Sequence, residues 1–99
     1  MIRATTVTHK FTLPLEFSTQ VKKLRVIYSQ LNKNILVKTE KDVTSDWKTI
    51  YVPLTQEETK CFAPIETKVQ IRVLTVNDEA LATKEYTFIV EDILDDEVL

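Results

Sequence analysis

Hydrophobic and polar residues alternate along much of the chain, most clearly within residues 69–90. Val69, Ile71 and Val73 are apolar in a first run, and Tyr86, Phe88 and Val90 in a second. Residues two apart on a strand share a face, so these six predict one apolar surface. The polar Asn77-Asp78-Glu79 between the runs predicts a hairpin turn. A lone hairpin is not stable in water, so that surface requires a second layer. Pairing of opposite charges and of aromatic with aliphatic residues predicts the register. Val76 then faces Leu81, Arg72 faces Glu85, Ile71 faces Tyr86 and Val69 faces Phe88. A slip of two residues keeps the faces and loses the Arg72–Glu85 pair. The other face carries Leu74, Val76, Leu81 and Ile89 beside Gln70, Arg72 and Glu85. It reads as a contact surface for another chain or, equally, as scattered apolar surface residues.

The rest of the chain supplies the second layer. Val7, His9, Phe11 and Leu13 alternate with Thr8, Lys10 and Thr12, a first strand ended by Pro14. Residues 15–21 read as an irregular crossover or short turn. Leu24, Val26 and Tyr28 predict a second strand over 22–30, and Asn32-Lys33-Asn34 turns it into a third over 35–39. Residues 41–46 form a polar loop. A fourth strand runs over 47–54, with Ile50, Val52 and Leu54 on one face and Pro53 marking a sheet edge. Thr55 followed by Glu58 is a capping-box spacing, and Pro64 limits its helix to 56–62, burying Cys61 and Phe62. The whole predicts an all-β chain: an immunoglobulin-like antiparallel β-sandwich of six to seven strands over 1–90, with one short helix near 56–62 and an acidic C-terminal tail over 91–99. The paired cysteines and intervening tryptophan of antibody domains are missing.

Composition narrows the chemistry. Ninety-nine residues suit one domain with a core of its own. The chain contains no glycine. Phosphate-cradling loops, dinucleotide fingerprints and nucleophile elbows depend on glycine, so none has its usual form here. Asn, Asp, Pro and Ser must make the turns. A single Cys61 excludes an intramolecular disulfide. No apolar run is long enough to span a membrane, and the Met1 start without an apolar leader predicts no signal peptide. Net charge is −2, unevenly placed: residues 91–99 hold five acids and no base, while the other ninety hold thirteen bases and ten acids. A nearly neutral body predicts no nucleic-acid partner.

Candidate chemistry is sparse. His9 is the single histidine and the one good general base. Its place on an apolar strand face predicts a core role, and no catalytic, cofactor-binding or metal residue is assigned. Cys61 beside Phe62 predicts a buried, inert thiol, and one Cys with one His is too few for zinc. Glu91, Asp92, Asp95, Asp96 and Glu97 lack calcium-loop spacing. They read as a solvated tail or, with Ile93, Leu94, Val98 and Leu99 interleaved, as a segment that orders on a partner or a second copy. Lys22, Lys23, Arg25, Lys33 and Lys38 predict a partly co-facial basic stripe, solvated, edge-protecting or receptive to such a tail. Trp47 reads as core filler more readily than as an interface anchor.

Several stretches bear a resemblance. They are Phe-Thr-Leu-Pro (11–14), Val-Ile-Tyr-Ser-Gln (26–30), Leu-Thr-Gln-Glu-Glu-Thr (54–59), Gln-Ile-Arg-Val-Leu-Thr (70–75), Ala-Leu-Ala-Thr-Lys (80–84) and Glu-Asp-Ile-Leu-Asp-Asp-Glu-Val-Leu (91–99). Together they resemble small structural proteins encoded by tailed bacteriophages and prophages of gut bacteria. The resemblance runs along nearly the whole chain and carries no catalytic residues. Such proteins often have glycine in the last hairpin turn, where this chain has Asn77 and Asp78. It implies a non-enzymatic structural or interaction domain in the bacterial host cytoplasm or the virion, partnered by other phage structural proteins or by itself. Leu74, Val76, Leu81, Ile93, Leu94, Val98 and Leu99 are the expected contacts. The alternatives are a bacterial ligand- or carbohydrate-binding sandwich, using exposed Trp47, Tyr51 and Tyr28, and an enzyme, which needs His9 beside Cys61 or Ser18.

Overall fold

The alternating stretches form strands because each buries one side and wets the other. The computed structural model describes residues 1–83, 85–95 and 97. In chain order the strands are β1 (Val7–Thr12), β2 (Val21–Gln30), β3 (Lys33–Thr39), β4 (Thr44–Asp46), β5 (Thr49–Leu54), β6 (Glu66–Thr75), β7 (Ala80–Ala82) and β8 (Tyr86–Ile89). Two helical turns, α1 (Phe17–Gln20) and α2 (Gln56–Lys60), lie between them. β1-β5-β4 make one antiparallel sheet; β3-β2-β6 make the other, with β7 and β8 both on the free side of β6. This is the immunoglobulin-like distribution: β1, β5 and β4 stand where strands B, E and D stand, and β3, β2, β6 and the broken β7–β8 where C′, C, F and G stand. Ile2 adds a parallel bridge to Glu91.

The core lies between the sheets. Leu24, Val26 and Tyr28 of β2 and Val69, Ile71 and Val73 of β6 face Ile50, Val52 and Leu54 of β5, and Leu13, Phe62 and Val90 extend the same buried cluster. Each such side chain removed from water contributes about 1.5–3 kcal/mol, enough in number to offset the ordering of the strands. Two buried polar groups stitch connections onto this core. Gln30 donates to the Ala63 carbonyl and the Thr67 hydroxyl, both at 2.9 Å, and accepts the Ala63 N–H at 2.9 Å. Thr59 donates to the Thr5 carbonyl at 2.7 Å and accepts the Thr5 N–H at 3.0 Å. The capping box forms as its spacing predicts, Thr55 accepting from the Glu58 N–H and Glu58 from the Thr55 N–H.

Several expectations need correction. The main hairpin does not keep one register: Val73 faces Leu81 and Arg72 faces Ala82 in β7, whereas Val69 faces Tyr86 and Thr67 faces Phe88 in β8. Thr75 causes the first shift. Its backbone N–H donates to the Glu79 carbonyl and its hydroxyl accepts the Glu79 N–H, closing the turn early with Asp78 at φ 63°. Thr83 causes the second, its hydroxyl accepting the Ile71 N–H at 3.1 Å where a ladder carbonyl would stand. β8 thus adopts the slip of two residues. Leu81, opposite Val73, moves to the inner side of the sheet margin, away from Leu74.

Cys61 is exposed, not buried. The helix stops at Lys60 and Cys61 caps it, its thiol on the Glu57 carbonyl at 3.3 Å, so Phe62 alone turns into the core. Trp47 is not core filler; it is 64% exposed at the tip of the β4–β5 turn, φ 57°, where no sheet covers it. Lys48 sits over its ring at 4.8 Å. Pro53 is on the central strand of its sheet, beyond the Thr44–Tyr51 pair where β4 ends.

Candidate functional site

On β2 and β6 the inward residues are consumed by the core, and what remains faces outward on the larger sheet. Lys23, Arg25, Ile27 and Ser29 of β2 stand opposite Leu74, Arg72, Gln70 and Lys68 of β6. Arg25 and Arg72 are thus direct cross-strand partners. Like charges directly opposite each other destabilise a sheet. Among the described residues no carboxylate lies within ion-pair distance of Arg25, Arg72 or Lys23. Glu85, which lines a neighbouring depression with Arg72, lies 3.8 Å from Lys68, and Glu40 accepts the Leu24 N–H. Backbone hydrogen bonds, with a smaller contribution from Lys41 and Lys23, hold the Glu40 carboxyl below its ordinary range.

Lys23, Arg25 and Arg72 line a shallow depression of about 240 Å³ whose other walls include Leu74, Ala80 and Leu81. Cationic heads over an apolar floor can hold an extended segment carrying both acids and aliphatic side chains. Arg72 was hidden from sequence reasoning, which paired it with Glu85; only the non-local β2–β6 register places it beside Arg25.

The expected basic stripe is divided. Lys23 and Arg25 belong to this face. Lys22 pairs with Asp78 at 3.2 Å, and Lys33 sits at the β2–β3 turn. Lys38 points to the inner side and pairs with Glu58 at 2.6 Å, its side chain only 12% exposed. Burial alone would raise the Glu58 carboxyl, but hydrogen bonds from Lys38 and Thr55 outweigh it and hold it low.

The other expected contacts are scattered. Leu74 is half-buried and Val76 exposed, held at the turn by its N–H on the Gln20 carbonyl. Ile93 is half-buried and Leu94 fully exposed; Val98 and Leu99 lie outside the described residues. The acidic segment is rooted at the far end of the larger sheet. The Glu91 N–H donates to the Met1 carbonyl, and Arg3 pairs with Asp92 at 3.1 Å while reaching the carbonyls of Lys60 and Phe62.

His9 is half-buried among Phe11, Tyr28 and Phe88, its Nδ1 2.7 Å from the Tyr28 hydroxyl. Burial, and then the Met1 ammonium, lowers its pKa below the usual value, while burial raises that of Tyr28. The imidazole tautomer sets which partner of the 2.7 Å His9–Tyr28 contact donates. No contact joins His9 to Cys61 or Ser18 among the described residues. Of the three candidate ligand aromatics, Tyr28 is buried, Tyr51 half-buried and Trp47 exposed. Among the described residues no group of three His, Cys, Asp or Glu gathers in a metal-binding arrangement, and no helix is long and apolar enough to cross a membrane. Compared with known proteins, the chain matches no family model, no curated protein and no solved structure.

Proposed function

We propose that this chain is a non-enzymatic interaction domain that receives an anionic protein segment on the outer face of its larger sheet. One observation carries the reading: Arg25 stands opposite Arg72 with no acid in ion-pair reach among the described residues. A carboxylate at either position would make a favourable pair; two guanidinium groups make an unfavourable one that a bound acid relieves. The apolar floor of Leu74 and its cross-strand partner Ala80 adds area that bare phosphate or solvent would not use. The test is a backbone NMR titration with hexaglutamate at low ionic strength. Shifts should centre on Lys23, Arg25, Arg72 and Leu74, and vanish in an Arg25→Glu/Arg72→Glu variant. Equal, weak shifts at every surface lysine would defeat the reading.

The resemblance to phage and prophage proteins supports a place in a virion, with other structural proteins as partners. Mass spectrometry of purified particles tests that part; particles free of the chain would remove it. A ligand-binding reading is favoured only by Trp47, exposed at a loop end. Because it is the single tryptophan, a saccharide on it would shift the intrinsic fluorescence directly.

A further inference from the structure

We infer that the occupant of the cationic face is the acidic segment 91–97 of a second copy of this chain. The inference rests on the docking reading above and names its partner. Charge and shape agree. The face offers Lys23, Arg25 and Arg72 around the apolar Leu74 and Ala80. The segment offers Asp95 and Glu97, neither in an ion pair among the described residues, beside a fully exposed Leu94. The aliphatic side chain is fully exposed, and the guanidinium groups have no acid in ion-pair distance among the described residues.

Reach argues for a second molecule. The Val90 N–H donates to the Ile65 carbonyl at 3.1 Å, so the segment is rooted level with Ile65. Arg72 lies seven residues further along that chain, roughly 23 Å at the strand rise. Glu91 and Asp92 are held by Met1 and Arg3. The five residue steps from Asp92 to Glu97 span at most about 17 Å. Even doubled back and fully extended, they cannot lay both Asp95 and Glu97 along Arg25 and Arg72 of their own sheet. A second copy has no such limit. Because the donor segment and the acceptor face are different surfaces, the contact is head-to-tail: each bound copy still presents one free face and one free segment. Copies therefore add one after another, into a ring if the rotation closes and a filament if it does not.

The experiment uses three full-length proteins in sedimentation velocity and light scattering at low salt. They are the wild type, an acceptor variant Arg25→Glu/Arg72→Glu, and a donor variant Asp95→Lys/Glu97→Lys. The wild type should grow in mass with concentration and lose that growth in 1 M NaCl, where the screening length is about 3 Å. Each variant alone should stay monomeric, its association weakened at least tenfold. Mixed in equal amounts, they should give a 1:1 complex, one supplying an intact segment and the other an intact face. A peptide of residues 90–99 titrated into the wild type provides a second measurement independent of variant folding. It should shift the same resonances as hexaglutamate and cap the growth. A monomeric wild type that still binds hexaglutamate on Arg25 and Arg72 overturns the choice of occupant and leaves the docking face standing. A monomer without those shifts removes both. Growth that persists in both variants, or a mixture that forms no complex, also overturns the inference.

Discussion

Replacing Arg72 with glutamate should stabilise the fold while abolishing docking. Arg72 faces Arg25 across the β2–β6 ladder, and Ala82 on its other side. Directly opposed Cβ atoms lie about 5 Å apart, and two flexible guanidinium groups splay to roughly 7 Å. At that distance, in a water-like dielectric, the repulsion is about 0.6 kcal/mol. Arg72→Glu removes it and substitutes an attraction of similar size, a net gain of about 1 kcal/mol at low salt. The small strand preference lost with glutamate trims this by a few tenths of a kcal/mol. For a domain of this length about 1 kcal/mol raises Tm by roughly 4–8 °C. Thermal unfolding at 20 mM and at 1 M NaCl reads the effect. Arg72→Gln, which only removes the repulsion, should recover about half of the gain. An unchanged or lower Tm at low salt would refute the reasoning. So would a gain undiminished at 1 M NaCl, because it would not be electrostatic. A surface that gains stability when its binding residue is replaced is the expected cost of a functional site.

Other positions make sharper demands. Gln30→Ala removes the bonds to the Ala63 N–H and carbonyl and to the buried Thr67 hydroxyl and should cost about 1–3 kcal/mol in urea unfolding. Glu58→Ala removes the return bond of the capping box and leaves Lys38 without its partner. It should cost about 1–2 kcal/mol at pH 7. Because the folded pKa of Glu58 is lowered, its contribution is full above the ordinary value of 4.5 and lost as pH falls through the folded value. The variant should lack that part of the acid limb. His9 is also lowered from 6.5, so the unfolded chain binds its proton first. Stability should hold above that pH and decline below it toward the folded value. The slope should flatten in His9→Gln, measured by Tm from pH 7.5 to 5. Leu31 is 86% exposed at φ 51°, next to Asn32 at φ 61°. Leu31→Gly should relieve about 1 kcal/mol of left-handed strain with little packing lost, read as a higher urea midpoint.

Local pattern carried the strands because side-chain alternation has the period of the backbone pleat. Ile50, Val52 and Leu54, or Val69, Ile71 and Val73, have one common face in any conformation that keeps them extended. The capping box was equally legible, since Thr55 and Glu58 act within one turn. Absence of glycine left the turns hard to place. Ala4, Leu31, Asn32, Trp47 and Asp78 take positive φ, and nothing in Leu31 or Trp47 advertises it. Cys61 and Trp47 were misjudged because apolar character decides burial only where a neighbouring layer is present. At a helix end and a hairpin tip there is none.

By itself the sequence determined an all-β chain with inner and outer residues sorted strand by strand, since those depend on neighbours two positions away. Which outer residues meet was decided by tertiary structure. The early turn closed by Thr75 and the interruption at Thr83 gave Glu85 to Lys68, and pairing of β2 with β6 set Arg25 against Arg72. Arg25 and Arg72 are 47 positions apart and Lys68 and Glu85 are 17, and hydrogen bonding between strands, not local periodicity, selects such contacts.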